Sequence, residues 1–525
     1  GAEEMWEGAP ARFAGRCMAL KRTRNHCRYA LPLWFLGTLG ILLQVFLDFC
    51  LLVVPTALVA WFTVLFLPAS EAVGSSDYFQ TTPLLEILWQ MGLYAFVTTW
   101  VTIVLVSVVG CLFLRCTPTS PGQYPSRGLK AHLLLYRVKM MDQIQRVWTW
   151  SIFGQYLRSL AGVRFTHPGA SECDVMFNLV PELIRADSEV FWSHGCYTNV
   201  LDQGSEHVTL RGIDMPANSF LGNNCVAEHG HLPSNFLLGV STPASDIRFR
   251  RQMRSRLGES ITVAGNPPLK FGSADFEVEN EARRPPSLLL FLARVSLHDI
   301  FSVGILPIAE VLVYAILYTV LLSLGGHAVV SACLALVLAE FALVAFCVLL
   351  KRLVVGNQWG RSHSTPFWSL RHFTYFTMQD CFFAWCGRSM RTLGGTVLAN
   401  RTLRLMGCRI GRRTIIADPL QAFDWNAVNI GDDCIIDGML QFHSFENMTL
   451  KVKRTEIWDG STVCFGATVM GGAVIERETT LLPMSLVMKE MRLPTAIYEG
   501  SPTEPTPAQG RHERARIGEV EKRIS

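Results

Sequence analysis

A chain of 525 residues holds more than one domain, and half of it is hydrophobic against 17% charged, with a mean hydropathy of +0.27. Soluble proteins carry about 25% charged residues, so the composition points to a bilayer, while a net charge of +4 is too small to imply nucleic acid. The fifteen cysteines stand singly, with no CxxC pair, which argues for reduced thiols and against a disulfide framework or a zinc site.

Residues 1–16 contain Trp6-Glu7-Gly8-Ala9-Pro10, which returns near the far end as Tyr498-Glu499-Gly500-Ser501-Pro502 and, more weakly, as Val263-Ala264-Gly265-Asn266-Pro267. A motif occurring once per repeating unit makes residues 1–16 the expected tail of a preceding unit. Residues 29–115 follow as a first transmembrane hairpin, with apolar runs from Leu31 to Pro68, where Pro55 predicts a kink, and from Leu84 to Leu114. Residues 129–160 are aromatic and basic, with Trp148 and Trp150, and read as interfacial helices. Residues 161–268 form a second soluble region. Residues 296–352 form a second hairpin, with spans near 300–324 and 328–350 joined by Gly325-Gly326-His327. Residues 361–404, with Phe367, Trp368 and Trp385, repeat the interfacial pattern. They lead into a last domain, 405–502, and a charged tail, 503–525.

Basic residues lie outside both hairpins: Lys21, Arg22, Arg24, Arg28 and Arg115 around the first, Arg294, Lys351 and Arg352 around the second. The turns hold neither Lys nor Arg. This asymmetry predicts a multi-pass membrane protein whose soluble domains share the cytosolic side. Glu310 and Glu340 fall at similar depth in the second hairpin and are expected to face each other, as a polar path or as a structural pair. Asp48 has no evident partner. The basic cluster Arg248, Arg250, Arg251, Arg254 and Arg256 reads as a solvated face rather than a lipid contact.

Beyond residue 400 the hydrophobic period becomes six. Ile457, Val463, Val469, Ile475, Leu481 and Val487 follow one another at that step, as do Ile430 and Ile436. Neither a strand of period two nor a helix of period 3.6 explains it. In a left-handed parallel β-helix each hexapeptide forms one side of a triangular coil, its aliphatic residue pointing inward and small residues making corners. The middle region shows a degraded version through Ile184, Val190, Cys196 and through Phe220, Val226, Leu232, Leu238. Its lead-in Leu160-Ala161-Gly162-Val163-Arg164-Phe165 matches Leu405-Met406-Gly407-Cys408-Arg409-Ile410. The expected architecture is an α/β membrane protein in which hexapeptide-repeat, left-handed parallel β-helix domains alternate with transmembrane α-helical hairpins.

The six-residue step breaks between Ile436 and Ile457, predicting an extruded loop, where a repeat scaffold commonly carries function. His443 in that loop is its one group suited to general-base work near neutral pH, and Glu446 is close enough to orient the ring. The middle region carries Asn199 in Tyr197-Thr198-Asn199-Val200-Leu201-Asp202, and an amide cannot serve as a base. His194, His207, His229 and His231 nearby read as surface residues.

The segment Leu440-Gln441-Phe442-His443-Ser444-Phe445-Glu446 and the later Leu482-Pro483-Met484-Ser485-Leu486-Val487-Met488-Lys489 resemble the C-terminal membrane region of nonribosomal-peptide-synthetase-like proteins, the family of ε-poly-lysine synthetase. The likeness spans nearly the whole chain, specifically in the last domain and loosely in the middle one. It implies tandem β-helices of the trimeric LpxA-like class, with adenylation and carrier domains upstream or in trans and a preceding β-helix completing a pseudo-trimer. It further implies acyl or aminoacyl transfer from a phosphopantetheine thioester, supplied by a carrier domain or coenzyme A and not held covalently in these residues, to an amine or hydroxyl. His443 and Glu446 would be its catalytic pair. The competing expectation is a non-catalytic membrane scaffold or exporter acting through Glu310 and Glu340. Neither reading involves nucleic acid.

Overall fold

A computed structural model of the protein describes residues 3–7, 12–17, 33–66, 83–167, 171–244, 261–264, 269–271, 287–356 and 363–506, apart from 188, 199, 205, 218, 228, 234–235, 423 and 447–448. Asn199, the Arg248–Arg256 cluster and most of the charged tail therefore lie outside the described residues, as does the side chain of Glu446.

Four described helices are long and apolar enough to cross a membrane: Thr38–Trp61, Leu85–Cys116, Leu288–Ile305 and Ala328–Val354, with the shorter apolar helix Ile308–Ser323 between the last two. The third begins earlier than the 300–324 expected from hydropathy. Leu288–Arg294 is α-helical, Val295–Ile305 is π-helical, and Leu306–Ser323 returns to α. Pro307 follows the π-helical stretch, and Pro55 follows a π-helical turn, Phe49–Val53. Proline has no N–H to offer the preceding turn, and widening that turn accommodates the ring. The Thr56 hydroxyl donates to the Leu52 carbonyl at 2.6 Å within the first of these turns.

Of the two glutamates of the second hairpin, Glu340 has its hydrogen-bonding partners on another helix. Glu340 accepts from Arg388 at 2.9 Å and from the Ser389 hydroxyl, both on the helix Leu370–Thr392 that leads to the last domain. Glu310 lies within the field of Arg388 and Glu340. Glu340 thus clips the apolar helix Ala328–Val354 to the helix Leu370–Thr392. Asp48 likewise has a neighbour, Tyr136, on the helix Leu129–Val147.

Each soluble region is a stack of short strands in parallel ladders that the chain visits in turn. In the last domain one ladder runs Arg409–Ile410, Val428–Ile430, Thr455–Ile457, Val474–Ile475, Arg492–Leu493. A second runs Ile415–Ile416, Ile435–Ile436, Thr462–Val463, Thr480–Leu481, Ile497–Glu499, and a third Met439–Gln441, Thr468–Met470, Leu486–Val487. Ile457, Val463, Val469, Ile475, Leu481 and Val487 are all buried in one core, as their spacing predicts. Corner residues adopt positive φ: Gly460 at 70° is followed one coil later by Glu478 at 54°. A glycine takes that conformation without strain, and the stack beneath holds the glutamate in it.

The middle region has the same three-ladder plan, and its frame differs from the one inferred. Phe220 and Val226 face outward and are partly exposed, while Leu221 and Ala227 take the inward positions. Leu232, Leu238 and Ala244 then continue inward after a one-residue contraction. Each stack ends in an antiparallel hairpin, Ile261–Ala264 with Leu269–Phe271 and Ile497–Glu499 with Glu504–Pro505. Glu3–Glu7 and Arg12–Cys17 form a third such hairpin, so the first two residues of each copy of the repeated motif fall on its first strand.

The two stacks touch. Phe191 and Phe220 of the middle region lie parallel at 4.8 Å, and Phe445 of the last domain packs 5.2 Å from Phe191. Buried Arg294, at the entry to the second hairpin, grips Glu172 of the middle region through both guanidinium nitrogens. Its guanidinium also stands 4.7 Å over Trp368 of the last unit.

Candidate active site

The break in the six-residue step is an antiparallel flap. His443–Glu446 pairs with Thr449–Val452, whose other edge takes up His363–Pro366 from the interfacial segment. The middle region builds the same device from Leu201–Gln203, His207–Leu210 and Gly122–Pro125. His443 sits at the root of its flap and is only 8% exposed.

Its Nδ1 lies 2.8 Å from Asp424 Oδ2. Asp424 Oδ2 also accepts the Phe442 amide at 3.1 Å, and Oδ1 accepts the hydroxyl of Tyr375. Burial, with the carboxylate beside it, pushes the Tyr375 hydroxyl well above the usual phenol range, so it stays a donor. Asp424 is fully enclosed, immediately before the turn Trp425–Ala427 that feeds a ladder strand. An imidazole held through Nδ1 by a rigid carboxylate has its tautomer and ring angle set, so that any proton transfer belongs to Nε2. Asp424 holds the Nδ1 side of the ring, and the side chain of Glu446, the expected orienting group, lies outside the described residues.

Ladder register identifies the residues that occupy these places in the middle region. His443 lies opposite Val452, which faces His363; Leu201 lies opposite Leu210, which faces Gly122. Asp424 precedes the turn Trp425–Ala427; Val180 precedes the turn Pro181–Leu183. Tyr375 and Leu134 hold the same place in their helices, Leu370–Thr392 and Leu129–Val147. Tyr375, Asp424 and His443 thus correspond to Leu134, Val180 and Leu201, all buried in one apolar core. The counterpart of His443 is Leu201, two residues from the Asn199 inferred from sequence.

A cavity of about 290 Å³ opens between the two stacks beside the flap. Gln441, Ser444 and Phe445 line it from the last domain, Phe220, Leu237 and Val240 from the middle one. The His443 ring stands 5.6 Å from Phe445. Lys489 also lines the cavity, and burial lowers its amine to about 8. On the other side of Phe445, His372 packs 4.6 Å from Phe376 with its Nδ1 buried and unpartnered. Burial, with the neighbouring His298, Arg294 and His443, holds that imidazole well below its ordinary value and keeps it neutral.

The middle region has a dyad of its own that the sequence concealed. His194 Nδ1 lies 3.2 Å from the buried Asp174, and that hydrogen bond raises the imidazole above its usual value. Asp174 is held in turn: its carbonyl accepts from Trp192 at 2.8 Å and from Arg158 at 3.1 Å. His231 pairs with Asp214 and His229 with Arg211, both at exposed positions. No family model, curated protein or solved structure matches this chain.

Proposed function

We propose that this chain is the membrane-bound terminal module of a nonribosomal-peptide-synthetase-like assembly, transferring an acyl or aminoacyl group from a pantetheine thioester to an amine or hydroxyl. The two ladder stacks are left-handed β-helices on the cytosolic side, anchored by the four apolar helices. The observation that carries this reading is the Tyr375–Asp424–His443 relay, built where the middle region manages with Leu134, Val180 and Leu201. A buried polar network confers no stability that packed aliphatic groups would not, so folding alone does not account for it.

In the proposed reaction the acceptor's lone pair attacks the thioester carbonyl while His443 Nε2 takes its N–H or O–H proton. The imidazolium is steadied by Asp424. Collapse of the tetrahedral intermediate breaks the C–S bond, and the imidazolium returns the proton to the leaving thiolate. Base catalysis of this kind contributes about 10²–10⁴-fold.

The test supplies a loaded carrier or a soluble pantetheine thioester with an amine acceptor and measures released product by mass spectrometry. His443→Ala is expected to lose at least about a hundredfold. The triple variant Tyr375→Leu, Asp424→Val, His443→Leu, which copies the middle region, is expected to be inactive yet to melt no lower than the parent. Full turnover in either variant would refute the mechanism.

A further inference from the structure

The first hairpin holds a pocket of about 240 Å³, walled by Leu52 of one apolar helix, Thr102, Val106 and Ser107 of the next, and Met140 and Ile144 of the helix Leu129–Val147. In the second unit an indole occupies the corresponding place. Counting along the two helices from Tyr375 and Leu134, Trp385 stands where the first unit has Ile144. Trp385 is buried against Phe346 and donates to the Leu306 carbonyl at 3.3 Å, beside Pro307. The shorter Ile144 leaves room beside the corresponding turn, that of Leu52 and Pro55. The second observation is a pair of hydroxyls. Thr56, Ser302, Thr319 and Ser323 each donate to a carbonyl of their own helix, which satisfies a hydroxyl in apolar surroundings. Thr102 and Ser107 do not. Thr102 Oγ1 is buried without a partner, and Ser107, 4% exposed, accepts from Trp148 at 2.8 Å while its own proton meets no acceptor among the described residues. Stranded hydroxyls are costly, and a ligand that brings an acceptor relieves them.

We infer that this pocket binds an ester-linked membrane lipid, one ester carbonyl accepting from Thr102 and Ser107 and the first carbons of the acyl chain lying along Leu52, Val106 and Ile144. At about 30 Å³ per small group the pocket holds about eight heavy atoms, an ester group and a short run of methylenes, and the rest of the lipid stays in the bilayer. Thr56, Gln143 and Val147 line the pocket and are exposed, so it opens at the outer surface of the hairpin, which apolar helices of this length turn to lipid. Among the described residues lining it none is charged. A fatty-acid carboxylate would therefore be buried uncompensated, whereas a neutral ester is not penalised in this way. A lipid whose chains are joined by ether bonds fits the same walls but lacks the carbonyl. The inference rests on these helices lying in a bilayer and not on acyl transfer.

The experiment offers the full chain, purified and stripped of lipid in detergent, an equimolar mixture of diester phosphatidylcholine and its diether analogue of the same chain length. Retained lipid is counted by native mass spectrometry. Lipid held loosely around the helices contributes equally to both, and retention of about tenfold more ester than ether is the expected result, as two modest hydrogen bonds give. Thr102→Val, which removes an unsatisfied hydroxyl and leaves the fold intact, should cut the preference to about threefold or less, and Thr102→Ser should restore it. Ile144→Trp, which copies the second unit, should abolish the preference even if the Thr102 variants do not fold. A diester lipid carrying a diazirine beside its ester should cross-link to peptides spanning Thr102–Ser107 or Met140–Val147. No arm uses a thioester, so the outcome is separate from the fate of the catalytic reading. Equal retention of both lipids by the parent, an unchanged preference in Thr102→Val or Ile144→Trp, or cross-links confined to other helices would each overturn it.

Discussion

His443 was legible because it is the imidazole in the stretch of the last domain where the six-residue step fails. Its partners were not. Asp424 lies on the preceding coil and Tyr375 on an interfacial helix, and only the stacking of coils brings them to one ring. Glu446 attracted notice through proximity along the chain, and its side chain lies outside the described residues. His194 was passed over because its partner, Asp174, again comes from the coil below. The His194–Asp174 pair makes a pH prediction. Its folded pKa lies above the ordinary histidine value, so its contribution to stability is complete below about 6.5 and is lost as pH rises through the folded pKa. Asp174→Asn removes the partner, and the midpoint of His194 carbethoxylation by diethyl pyrocarbonate, followed by peptide mass spectrometry, should move to lower pH. An unchanged midpoint would show that Asp174 does not govern this imidazole.

At the level of the strand and coil, the six-residue period was read well where every inward residue is aliphatic and less well where the coil contracts. In the last domain the inward residues at this step from Ile457 to Leu493 are all Ile, Val or Leu. In the middle one the outward Phe220 stacks on Phe191 at the interface, and its apolarity imitates a core position. The true inward neighbour, Leu221, could not be told from it by hydrophobicity alone. The break at Pro55 was legible in the sequence, but the one before Pro307 was not, and the π-helical turns at both follow from backbone geometry that composition does not display. Val469 is fully buried, with Leu440 and Val487 as its ladder neighbours. Val469→Asp places an unpaired carboxylate among them and should cost several kcal/mol. Thermal unfolding in detergent should show a large drop in midpoint or outright loss of the folded protein, while Thr462→Val, on the outward side of its strand, should stay close to the parent. A tolerated aspartate at 469 would mean that this ladder is not a closed core.

For the molecule as a whole, repeated motifs foretold two similar units, and the antiparallel hairpins ending both stacks agree with that. What repetition could not foretell is that the units lean on each other. That contact depends on Phe220, Phe191 and Phe445, side chains that a single-unit reading assigns to a core or a loop. It also depends on Arg294, whose grip on Glu172 joins a membrane helix to the middle stack. The same contact creates the cavity, so any ligand there senses both units at once. The arrangement has a direct test in the corner residue Asn224 and the strand residue Met439, whose side chains meet at 3.9 Å across the junction. Asn224→Cys with Met439→Cys, treated with a short bismaleimide in native membranes, should give a tryptic peptide pair joined through the two cysteines. The link should form rapidly in the parent background and slowly once Phe445→Ala has removed the aromatic side chain between the stacks, a truncation expected to cost about 3–5 kcal/mol of packing if the junction is as dry as a core. Cross-linking at equal rates in both backgrounds would mean that the aromatic cluster does not hold the stacks together, and absence of the link in the parent would mean that they do not meet along this edge.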